Sequence, residues 1–489
     1  MAAESVPGDV SAQGGETRFR RGMGAGPLMA EHTRPARGMR DFLPDDVRRR
    51  AFVVGVIERT YRRYGFEPLE TPALENIETV TGKYGEEGNK LIFKVLRRGE
   101  HEASGETDLA LRYDLTVPLA RVVAEHRGKL PRFFKRYQIQ PVWRADRPSR
   151  GRFREFYQCD VDAIGSTSPV VEAEVCSAVS DVLGELGFTD FVIRINHRGL
   201  LRGMLETFGV PAGLHDQALI AVDKLDKIGR EGVRAELGTR GIGEAAAERL
   251  LTAFDHPATS STHPDPAGHD SMIAWAREQV GEHPEGIAAV GNLAEILQLC
   301  RATSAGAHVT LDASLARGLS YYTGAIMEVA VADLAGSLGG GGRYDGLIGM
   351  FSGESIPACG FSLGLERILV VMTERDMFPA GLQRAAADVL VTRFEGEPVE
   401  DALRLAADLR GAGLRVEVYP DPDKLGKQFK YASTRGIPVV TVVGGDERAA
   451  GMVTLKNMVD GQQSSAPRTG IAAAVQALIA HRREPVAGS

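Results

Sequence analysis

The residues best suited to chemistry lie between Trp143 and Asp162, in the stretch WRADRPSRGRFREFYQCDVD. It holds five arginines and then alternates through Gln158, Asp160 and Asp162. The arginine side chain presents a planar fork of donors that matches a phosphate group, which lysine does not. Forked cations beside carboxylates predict an anion site next to a site for a small cationic or hydrogen-bonding ligand.

The second half of this stretch predicts a strand over residues 153–164, in which alternate side chains share one face. Gln158 and Asp162 then lie roughly 13 Å apart along the strand, which suits a small ligand bound at both of its ends. A polar sheet face with solvated ion pairs is the alternative, and this stretch alone leaves it open. The residues predicted to share the face are Arg154, Phe156, Gln158, Asp160 and Asp162.

A second candidate segment is LALRYDLT at residues 109–116. As a strand it puts Arg112, Asp114 and Thr116 on one face, where the carboxylate and the hydroxyl can receive an ammonium group. The competing interpretation is the polar face of an edge strand, and without support from other segments it is the stronger one.

Two glycine-rich segments follow, RGLSYYTG at 317–324 and LGGGGRYDG at 338–346. The first places a cation and two tyrosines between glycines. The second lacks the Lys-Ser/Thr pair of a phosphate-binding P-loop, so its glycines are predicted to let the backbone approach a ligand closely.

The last candidate segment, IPACGFSLGLERIL at 356–369, predicts a strand, a turn at Gly364 and a helix with Arg367 in its first turn. A cation at this end opposes the helix dipole. Either the neighbouring Glu366 or a bound polyphosphate would offset that cost.

These segments need a scaffold of strands and helices. A helix with an apolar stripe at 3.6-residue spacing follows the N-cap candidate Asp45 and ends at Gly65, and an extended segment then reaches Pro72. The helix suits an internal layer and a dimer interface equally. Closely connected strand candidates favour an antiparallel sheet. These candidates lie at 90–96, 109–116, 136–144, 153–164, 191–195, 308–311, 324–331 and 356–363.

The length of 489 residues is too great for one core, so several domains are expected. Helical patterns between 203 and 305 predict an insertion between sheet strands, and alternating strands and helices over the last hundred residues predict a compact α/β domain. The predicted divisions are a disordered tail at 1–34, a catalytic domain in two parts at 35–202 and 306–383 around the insertion at 203–305, and a C-terminal domain at 384–489.

Composition excludes several classes of protein. The formal net charge of −7 argues against coating of nucleic acid through global positive charge, although local basic patches remain possible. Four widely spaced cysteines without a CxxC pair give no metal-binding motif and favour a reducing, cytoplasmic compartment. No apolar run approaches the roughly 18 to 20 residues that span a membrane.

Taken together, the segments resemble the class II aminoacyl-tRNA synthetases, and specifically the histidyl-tRNA synthetase family, from about Arg37 to the end. The helix and strand ending at Pro72 look like motif 1, residues 144–162 like motif 2, and residues 360–369 like motif 3. Three segments carry the resemblance to the histidine-specific family: LRYDLTVPLAR at 111–121, RGLSYYTG at 317–324 and GGRYDGL at 341–347. The resemblance implies an α+β fold: an antiparallel sheet flanked by helices, a helical insertion, and a C-terminal α/β domain that binds the anticodon.

The resemblance also implies the reaction. ATP, with Mg²⁺, activates L-histidine to histidyl-adenylate and pyrophosphate, and the histidine then passes to the 3′ end of tRNA(His). The catalytic cations would be Arg144 and Arg317 at the α-phosphate and Arg367 at the γ-phosphate, with Arg152 and Tyr344 also in the ATP site. Motif 1 implies a homodimer. No protein motif for a metal and no general base for the transfer step is recognisable.

The resemblance assigns the amino acid and the tRNA to further residues. Asp114, Thr116 and Gln158 would bind the amino end of histidine, and Asp162, Tyr321 and Tyr322 would bind its imidazole. The full histidine-binding set would be Asp114, Leu115, Thr116, Gln158, Asp162, Arg317, Tyr321 and Tyr322. The tRNA-binding set would be Arg147, Arg150 and Arg154 in the motif 2 loop and Lys427 and Lys430 in the C-terminal domain.

One departure from the family pattern is Ser320, where most members have Asp, and it puts the local electrostatics of the pocket in doubt. The alternative to an active ligase is a catalytically silent, histidine-sensing relative of the ATP-phosphoribosyltransferase regulatory subunit type. Such relatives typically lack the C-terminal domain and lose the ATP-site arginines, whereas this chain has both.

Overall fold

A computed structural model describes residues 33–99, 104–222, 224–254, 268–316, 321–334, 336–380, 382 and 385–480. Nearly all of the predicted tail, and the segment 317–320 with Arg317 and Ser320, lie outside the described residues. The described residues form two compact units: one lies within 33–43 and 53–374, and the other within 44–52 and 375–480. Helix α1 (Pro44–Arg63) contributes to both ranges.

The first unit is built on an eight-stranded sheet. The strand pair at each edge of this sheet is parallel, and every pair between the two edge pairs is antiparallel. The predicted antiparallel sheet is confirmed. In spatial order the strands are β1 (Glu67–Pro68), β5 (Phe134–Trp143), β6 (Glu155–Ile164), β11 (Ala358–Gly364), β10 (Gly339–Arg343), β9 (Ala325–Ala330), β7 (Val192–His197) and β8 (Val309–Leu311).

The register of the sheet brings the polar residues of β6 opposite further polar or small residues. Asp160 pairs with Gln138 on β5 and with Ser362 on β11. Asp162 pairs with Arg136 and Gly360 on the same two strands. Because directly opposed residues share a face, one face of the sheet is polar along its middle.

A small antiparallel sheet of β2 (Leu74–Asn76), β4 (Thr107–Leu111) and β3 (Lys94–Leu96) lies in the same unit. The predicted strand through Thr116 is wrong beyond Leu111, because helix α4 (Thr116–His126) begins there. The Asp114 carboxylate accepts the backbone N–H of Val117 at 3.1 Å, so a local side-chain bond competes with the strand ladder.

Helices cover the apolar face of the large sheet. Helix α5 (Val170–Glu185) packs on β6 and β11, and helix α11 (Pro284–Cys300) packs on α5, on α6 (Arg198–Thr207) and on β7. The described residues between 198 and 300 are mostly helical. The helices of this unit are α2 (Ile77–Val80), α3 (Gly85–Lys90), α5 (Val170–Glu185), α6 (Arg198–Thr207), α7 (His215–Val222), α8 (Leu225–Thr239), α9 (Glu244–Phe254), α10 (His269–Val280), α11 (Pro284–Cys300), α12 (Gly349–Ser352) and α13 (Leu365–Glu374).

The second unit has a mixed sheet in the order β13 (Val416–Val418), β12 (Val389–Val391), β14 (Val439–Val442), β15 (Met452–Asn457) and β16 (Gln463–Pro467). The first three strands are parallel and the last two pairings are antiparallel. Strand β16 was not predicted, because QSSAP has no apolar alternation. The helices are α14 (Val399–Gly411), α15 (Leu425–Thr434), α16 (Gly445–Ala450) and α17 (Ile471–Ala480). Of the described helices, none has the length and apolar character needed to cross a membrane.

Candidate active site

A cavity of about 270 Å³ opens on the polar face of the large sheet. Strands β6, β10 and β11 form its floor, and the start of α13 and the connection from β5 to β6 form its walls. All five candidate segments of the sequence therefore contribute residues to one place. The residues lining it are Thr116, Arg144, Asp146, Gly151, Arg152, Phe153, Phe156, Gln158, Leu315, Tyr321, Tyr322, Met327, Glu328, Ser337, Leu338, Gly339, Gly340, Gly341, Ser362, Gly364, Glu366 and Arg367.

The glycine run forms strand β10, which was not predicted because glycine is a poor strand former. A Cβ at Gly341 would lie 2.1 Å from the carbonyl oxygen of Gly360, so the neighbouring strand already excludes a side chain there. Gly340 pairs with Ser362 and Glu328, which both line the cavity. The neighbouring strand thus explains why residue 341 is a glycine. At Gly340 the lack of a side chain leaves the backbone itself as the cavity floor.

Arg144 is held at the cavity wall by its own neighbours. Its Nε donates to the carbonyl oxygen of Tyr113 at 3.0 Å. Its guanidinium carbon lies 4.3 Å from the ring centroid of Tyr113 and 5.2 Å from that of Phe156. Arginine stacks on aromatic faces and keeps its remaining donors free to bind an anion, so Arg144 is a pre-oriented cation.

Two further arginines reach the same cavity. Arg367 lies in the first turn of α13 and donates to the carbonyl oxygen of Ser337. Arg152 is more exposed and lies 3.8 Å from Asp146. Among the described lining residues, the cationic side chains are these two and Arg144. Three forked cations around one cavity favour a polyphosphate.

Glu366 is one of the two groups that the sequence offers to offset the cost of placing Arg367 at a helix N-terminus. Its carboxylate accepts the backbone N–H of Tyr157 at 2.8 Å, and it is buried. The side chain therefore ties the start of α13 to β6, which fixes the direction in which the helix presents its first turn.

One end of the pocket centres on Asp114, which is 1% exposed. Its carboxylate accepts the hydroxyl of Tyr84 at 2.9 Å and that of Tyr321 at 3.0 Å, in addition to the Val117 N–H. Burial raises its pKa. A buried carboxylate held in this way gains most from a cationic ligand group, and the side chain of Thr116 lines the cavity beside it.

The other end centres on Asp162, whose Oδ1 accepts the hydroxyl of Tyr344 at 2.6 Å and whose Oδ2 lies 2.9 Å from Arg136. Asp160 lies 3.6 Å from the same guanidinium. Both carboxylates are 2% exposed, so the alternative of a solvated polar face is wrong. Burial raises the pKa of both carboxyl groups, and Arg136 opposes the shift. For Asp160 the negative charge of the nearby Asp162 adds to the effect of burial, and its pKa rises to about 7.

Between the two ends lies Gln158, whose Nε2 donates to the hydroxyl of Ser362 at 2.7 Å and whose Oε1 has no hydrogen-bond partner among the described residues. Tyr322 lines the cavity with its ring centroid 5.0 Å from that of Tyr321. The predicted residues Thr116, Gln158, Tyr321 and Tyr322 thus reach the cavity surface. Asp114, Leu115, Asp162 and Tyr344 are buried and are not among the described lining residues.

Sequence reasoning missed Arg136, Gln138, Ser362 and Tyr84. The first two alternate along β5 and face the carboxylates of β6, so period-two polarity in the neighbouring strand was a usable signal. Ser362 and Tyr84 are single polar residues in apolar surroundings, and no local pattern distinguishes them.

The residues predicted to bind tRNA lie at several places. Arg150 pairs with Glu374 and donates to the carbonyl oxygen of Asp333, while Arg154 donates to that of Asp146 at 3.1 Å. Arg147 is exposed. In the second unit, Lys427 pairs with Asp423 at 2.9 Å, and Lys430 is exposed.

Within the described residues, no group of three His, Cys, Asp or Glu side chains could hold a metal ion. Carboxylate oxygens are nevertheless present at the cavity wall in Asp146, Glu328 and Glu366. Such oxygens suit Mg²⁺, which keeps several waters and binds through one or two carboxylates plus substrate phosphates. The lining therefore fits a magnesium ion that arrives with a nucleotide.

Comparison with known proteins identifies the family of the chain. The family model for histidyl-tRNA synthetase matches residues 38–368, and the anticodon binding domain model matches residues 388–478. The histidine--tRNA ligase of Porphyromonas gingivalis is 42% identical over 448 residues, covering 88% of this chain and 96% of that protein. The same-named protein of Gloeobacter violaceus is also 42% identical, with 88% and 95% covered.

Solved structures show the same fold. Histidyl-tRNA synthetase from Nostoc sp. PCC 7120 superposes with a TM-score of 0.72 at 29% identity, covering 91% of this chain and 99% of that chain. The apo histidyl-tRNA synthetase of S. aureus gives a TM-score of 0.64 at 22% identity, covering 91% and 99%.

The antiparallel sheet, with arginines at its motif 2 and motif 3 positions around one cavity, defines a class II aminoacyl-tRNA synthetase. The family models and the curated relatives make the assignment more specific. The chain belongs to the histidyl-tRNA synthetase family.

Proposed function

We propose that this chain is a histidine–tRNA ligase. It activates L-histidine with ATP to histidyl-adenylate and pyrophosphate, and then transfers the histidine to the 3′ end of tRNA(His). The observation that carries the proposal is the placement of Arg144, Arg152 and Arg367 around a cavity that also contacts Thr116 and Gln158. One side of the site suits a triphosphate and the other suits an amino acid.

The phosphate side works by fixed positive charge. Arg144 binds the α-phosphate, Arg367 the γ-phosphate and Arg152 the nucleotide at the cavity mouth. As the histidine carboxylate attacks the α-phosphorus in line, charge develops on the phosphoryl oxygens and on the departing pyrophosphate. Cations already oriented by Tyr113 and by the first turn of α13 lower that barrier without reorganising during the reaction. The lining carboxylates Asp146, Glu328 and Glu366 would hold the Mg²⁺ that accompanies ATP, and the ion would supply further positive charge beside the phosphates.

The amino-acid side works by complementarity. Asp114 and Thr116, with the Leu115 backbone between them, bind the ammonium group. Gln158, whose Oε1 has no partner in the described part of the chain, adds an acceptor. Asp162, Tyr321 and Tyr322 form the imidazole end. A buried pocket built to bond ring nitrogens rejects analogues that lack them, because its own polar groups then lose their partners. Arg317 is assigned to both substrates. Tyr344 is assigned to the ATP site, and its hydroxyl also donates to Asp162 at the imidazole end.

The remaining assignments concern the tRNA and the assembly. Arg147, Arg150 and Arg154 of the motif 2 connection face the acceptor end, and the Glu374 pair of Arg150 would have to open for contact with RNA. Lys427 and Lys430 offer cations for the anticodon arm, and the helices between 203 and 305 brace the acceptor arm. The protein acts in the cytoplasm as a homodimer.

Histidine-dependent ATP–pyrophosphate exchange tests the activation step. Exchange by the purified chain is expected, and its absence in well-folded protein would refute the activity. Arg317→Ala is expected to abolish exchange with the fold intact, and near-normal exchange would refute its role. Asp162→Ala is expected to weaken histidine binding with ATP affinity kept, and equal losses for both ligands would count against an imidazole role.

The silent, histidine-sensing alternative is not favoured. A protein described as an ATP phosphoribosyltransferase regulatory subunit/histidyl-tRNA synthetase from Bacillus halodurans shares the fold, with a TM-score of 0.66 at 21% identity. This chain, however, has the anticodon binding domain match and the three cavity arginines. The exchange assay separates the two functions directly.

A further inference from the structure

Arg136 lies behind the imidazole end of the pocket, on β5, and its side chain is completely buried. One terminal nitrogen, Nη2, lies 2.9 Å from Asp162, 3.6 Å from Asp160 and 3.4 Å from the carbonyl oxygen of Leu115. The other, Nη1, donates to Gln138 at 3.1 Å. One guanidinium thus contacts both the imidazole end and the segment that forms the amino end.

The cluster has an unbalanced charge. One arginine faces two carboxylates, so the group carries one net negative charge when both are ionised and none when one is protonated. Isolated buried carboxylates neutralise by taking up protons, and an opposing cation is what keeps them ionised. Asp162 therefore depends on Arg136 for its charge.

Its orientation depends on the same residue. A Cβ at Gly360, the residue opposite Asp162, would lie 1.9 Å from Oδ1, so the carboxylate lies flat over that glycine. Tyr344 donates a hydrogen bond to Oδ1, while Oδ2 forms an ion pair with Arg136 and accepts no hydrogen bond from the described residues. With both oxygens fixed, the remaining lone pairs have defined directions.

We infer that Arg136 is a positioning residue of the histidine site: it keeps Asp162 ionised and fixed so that Asp162 can accept an imidazole N–H, and it holds the Leu115 carbonyl in register with that group. The inference rests on the proposed function, since it deepens the role given there to Asp162. Arg136 does not contact the cavity, so its effect on histidine passes through the residues it holds.

The competing explanation is purely structural, since breaking a buried ion pair destabilises a protein whether or not a ligand uses it. The two explanations differ in their pH dependence. Without Arg136 the pKa of Asp162 rises further, so the deficit in histidine binding should be largest at low pH and shrink as rising pH ionises the carboxylate. A structural defect has no reason to follow the charge on Asp162.

Other groups act on the two carboxylates, and the substitutions at Arg136 leave all of them in place. Besides Arg136, the described titratable or charged groups that act on Asp160 or Asp162 are Tyr61 from α1, Arg112 and Asp114 from the segment after β4, Tyr322 before β9, Tyr344 after β10 and Cys359 on β11.

The experiment compares Arg136→Met with the wild-type chain in histidine-dependent ATP–pyrophosphate exchange between pH 6 and 9. The KM for histidine should rise about 10- to 100-fold near pH 7, the range for a charge-assisted hydrogen bond, with the KM for ATP unchanged. The ratio of variant to wild-type KM for histidine should fall as the pH rises. Arg136→Lys keeps the charge without the fork, so it should show a smaller deficit and a weaker pH trend.

Arg112→Met is the matched control. Arg112 is also buried and acts on Asp160 only from a distance, while its donors go to Thr71, Pro72, Pro141 and Gln140 and none of its described contacts reaches Asp162. The Arg112→Met variant should have a lower melting temperature than the wild type, and the ratio of its KM for histidine to the wild-type value should not change with pH. The same trend in Arg112→Met would overturn the inference, as would a pH-independent deficit in Arg136→Met.

If Arg136→Met does not fold, Arg136→Lys decides the matter. A KM for histidine at the wild-type value, or an equal rise in the KM for ATP, would overturn the role of Arg136. Either result with active wild-type enzyme leaves the ligase activity standing, whereas no exchange by the wild-type chain would remove the proposed function and the role of Arg136 with it.

Discussion

The substitution Gly360→Ala gives the most direct test of the geometry at the imidazole end. A methyl group at this position would lie 1.9 Å from Oδ1 of Asp162, 2.5 Å from its Cγ and 2.8 Å from the carbonyl oxygen of Val161. Non-bonded heavy atoms prefer separations of about 3.5–4.0 Å. The carboxylate must therefore move by more than about 1 Å, because the Val161 backbone is held in the sheet.

That movement weakens two contacts that are short in the native protein, the bond from Tyr344 at 2.6 Å and the pair with Arg136 at 2.9 Å. A hydrogen bond to a charged group contributes about 1.5–3 kcal/mol, and overpacking a core costs about 1–3 kcal/mol. Since the terms are not additive, we expect the free energy of unfolding to fall by about 2–5 kcal/mol. The KM for histidine should rise by about 10- to 100-fold, with the KM for ATP kept.

Urea unfolding gives the stability change, and pyrophosphate exchange gives both KM values. The control is Gly291→Ala, in the exposed middle of α11 with no atom within 4 Å of the added Cβ. It should raise stability by up to about 1 kcal/mol through helix propensity and leave histidine binding unchanged. A folded Gly360→Ala variant with native KM for histidine would show that the placement of Asp162 is irrelevant to the site.

Three other outcomes are expected. Arg144→Lys keeps the charge but loses the fork and its stacking on Tyr113, so kcat for exchange should fall by about 10²–10³; steady-state kinetics would contradict this with a change below tenfold. Burial raises the pKa of Asp160 to about 7, so between about pH 4 and pH 7 the folded state keeps a proton that the unfolded chain has released. Asp160 therefore lowers the free energy of unfolding as the pH rises from about 4 to about 7. Asp160→Asn should remove that loss, by up to about 4 kcal/mol between pH 4 and 8; urea midpoints that track the wild type across pH would refute it. Glu172→Gln breaks the pair with the largely buried Arg343, where the contacts are 2.6 and 2.7 Å, and should cost about 3–5 kcal/mol in urea unfolding; a change below about 1 kcal/mol would mean the pair is dispensable.

Much of the architecture could be predicted because its signals are local. The strand at 153–164 alternates polar and apolar residues, and the helix after Gly364 has an apolar stripe, so each was identified from a single window of sequence. The strand at 339–343 could not be predicted in this way. Its four glycines oppose strand formation by propensity, and only the neighbouring strands, which leave no room for a Cβ at Gly341, explain them.

The segment at 109–116 shows the opposite error. Its alternation is real up to Leu111, but the side chain of Asp114 bonds the backbone of Val117 and a helix begins at Thr116. Thr116 reaches the pocket from the start of a helix, with Asp114 buried just before it, and neither lies on the face of a strand. The residue types were predicted correctly there while the element that carries them was not.

The sequence by itself determined which residue types are available for chemistry: forked cations at Arg144 and Arg367, and carboxylates at Asp160 and Asp162. These follow from composition and spacing, which are properties of the chain. Only the tertiary structure decided which groups share a cation, because cross-strand register joins Arg136 to Asp162 over 26 positions of sequence. Burial then decides the charge of those carboxylates, since desolvation acts on a residue through everything that surrounds it and not through its neighbours in sequence.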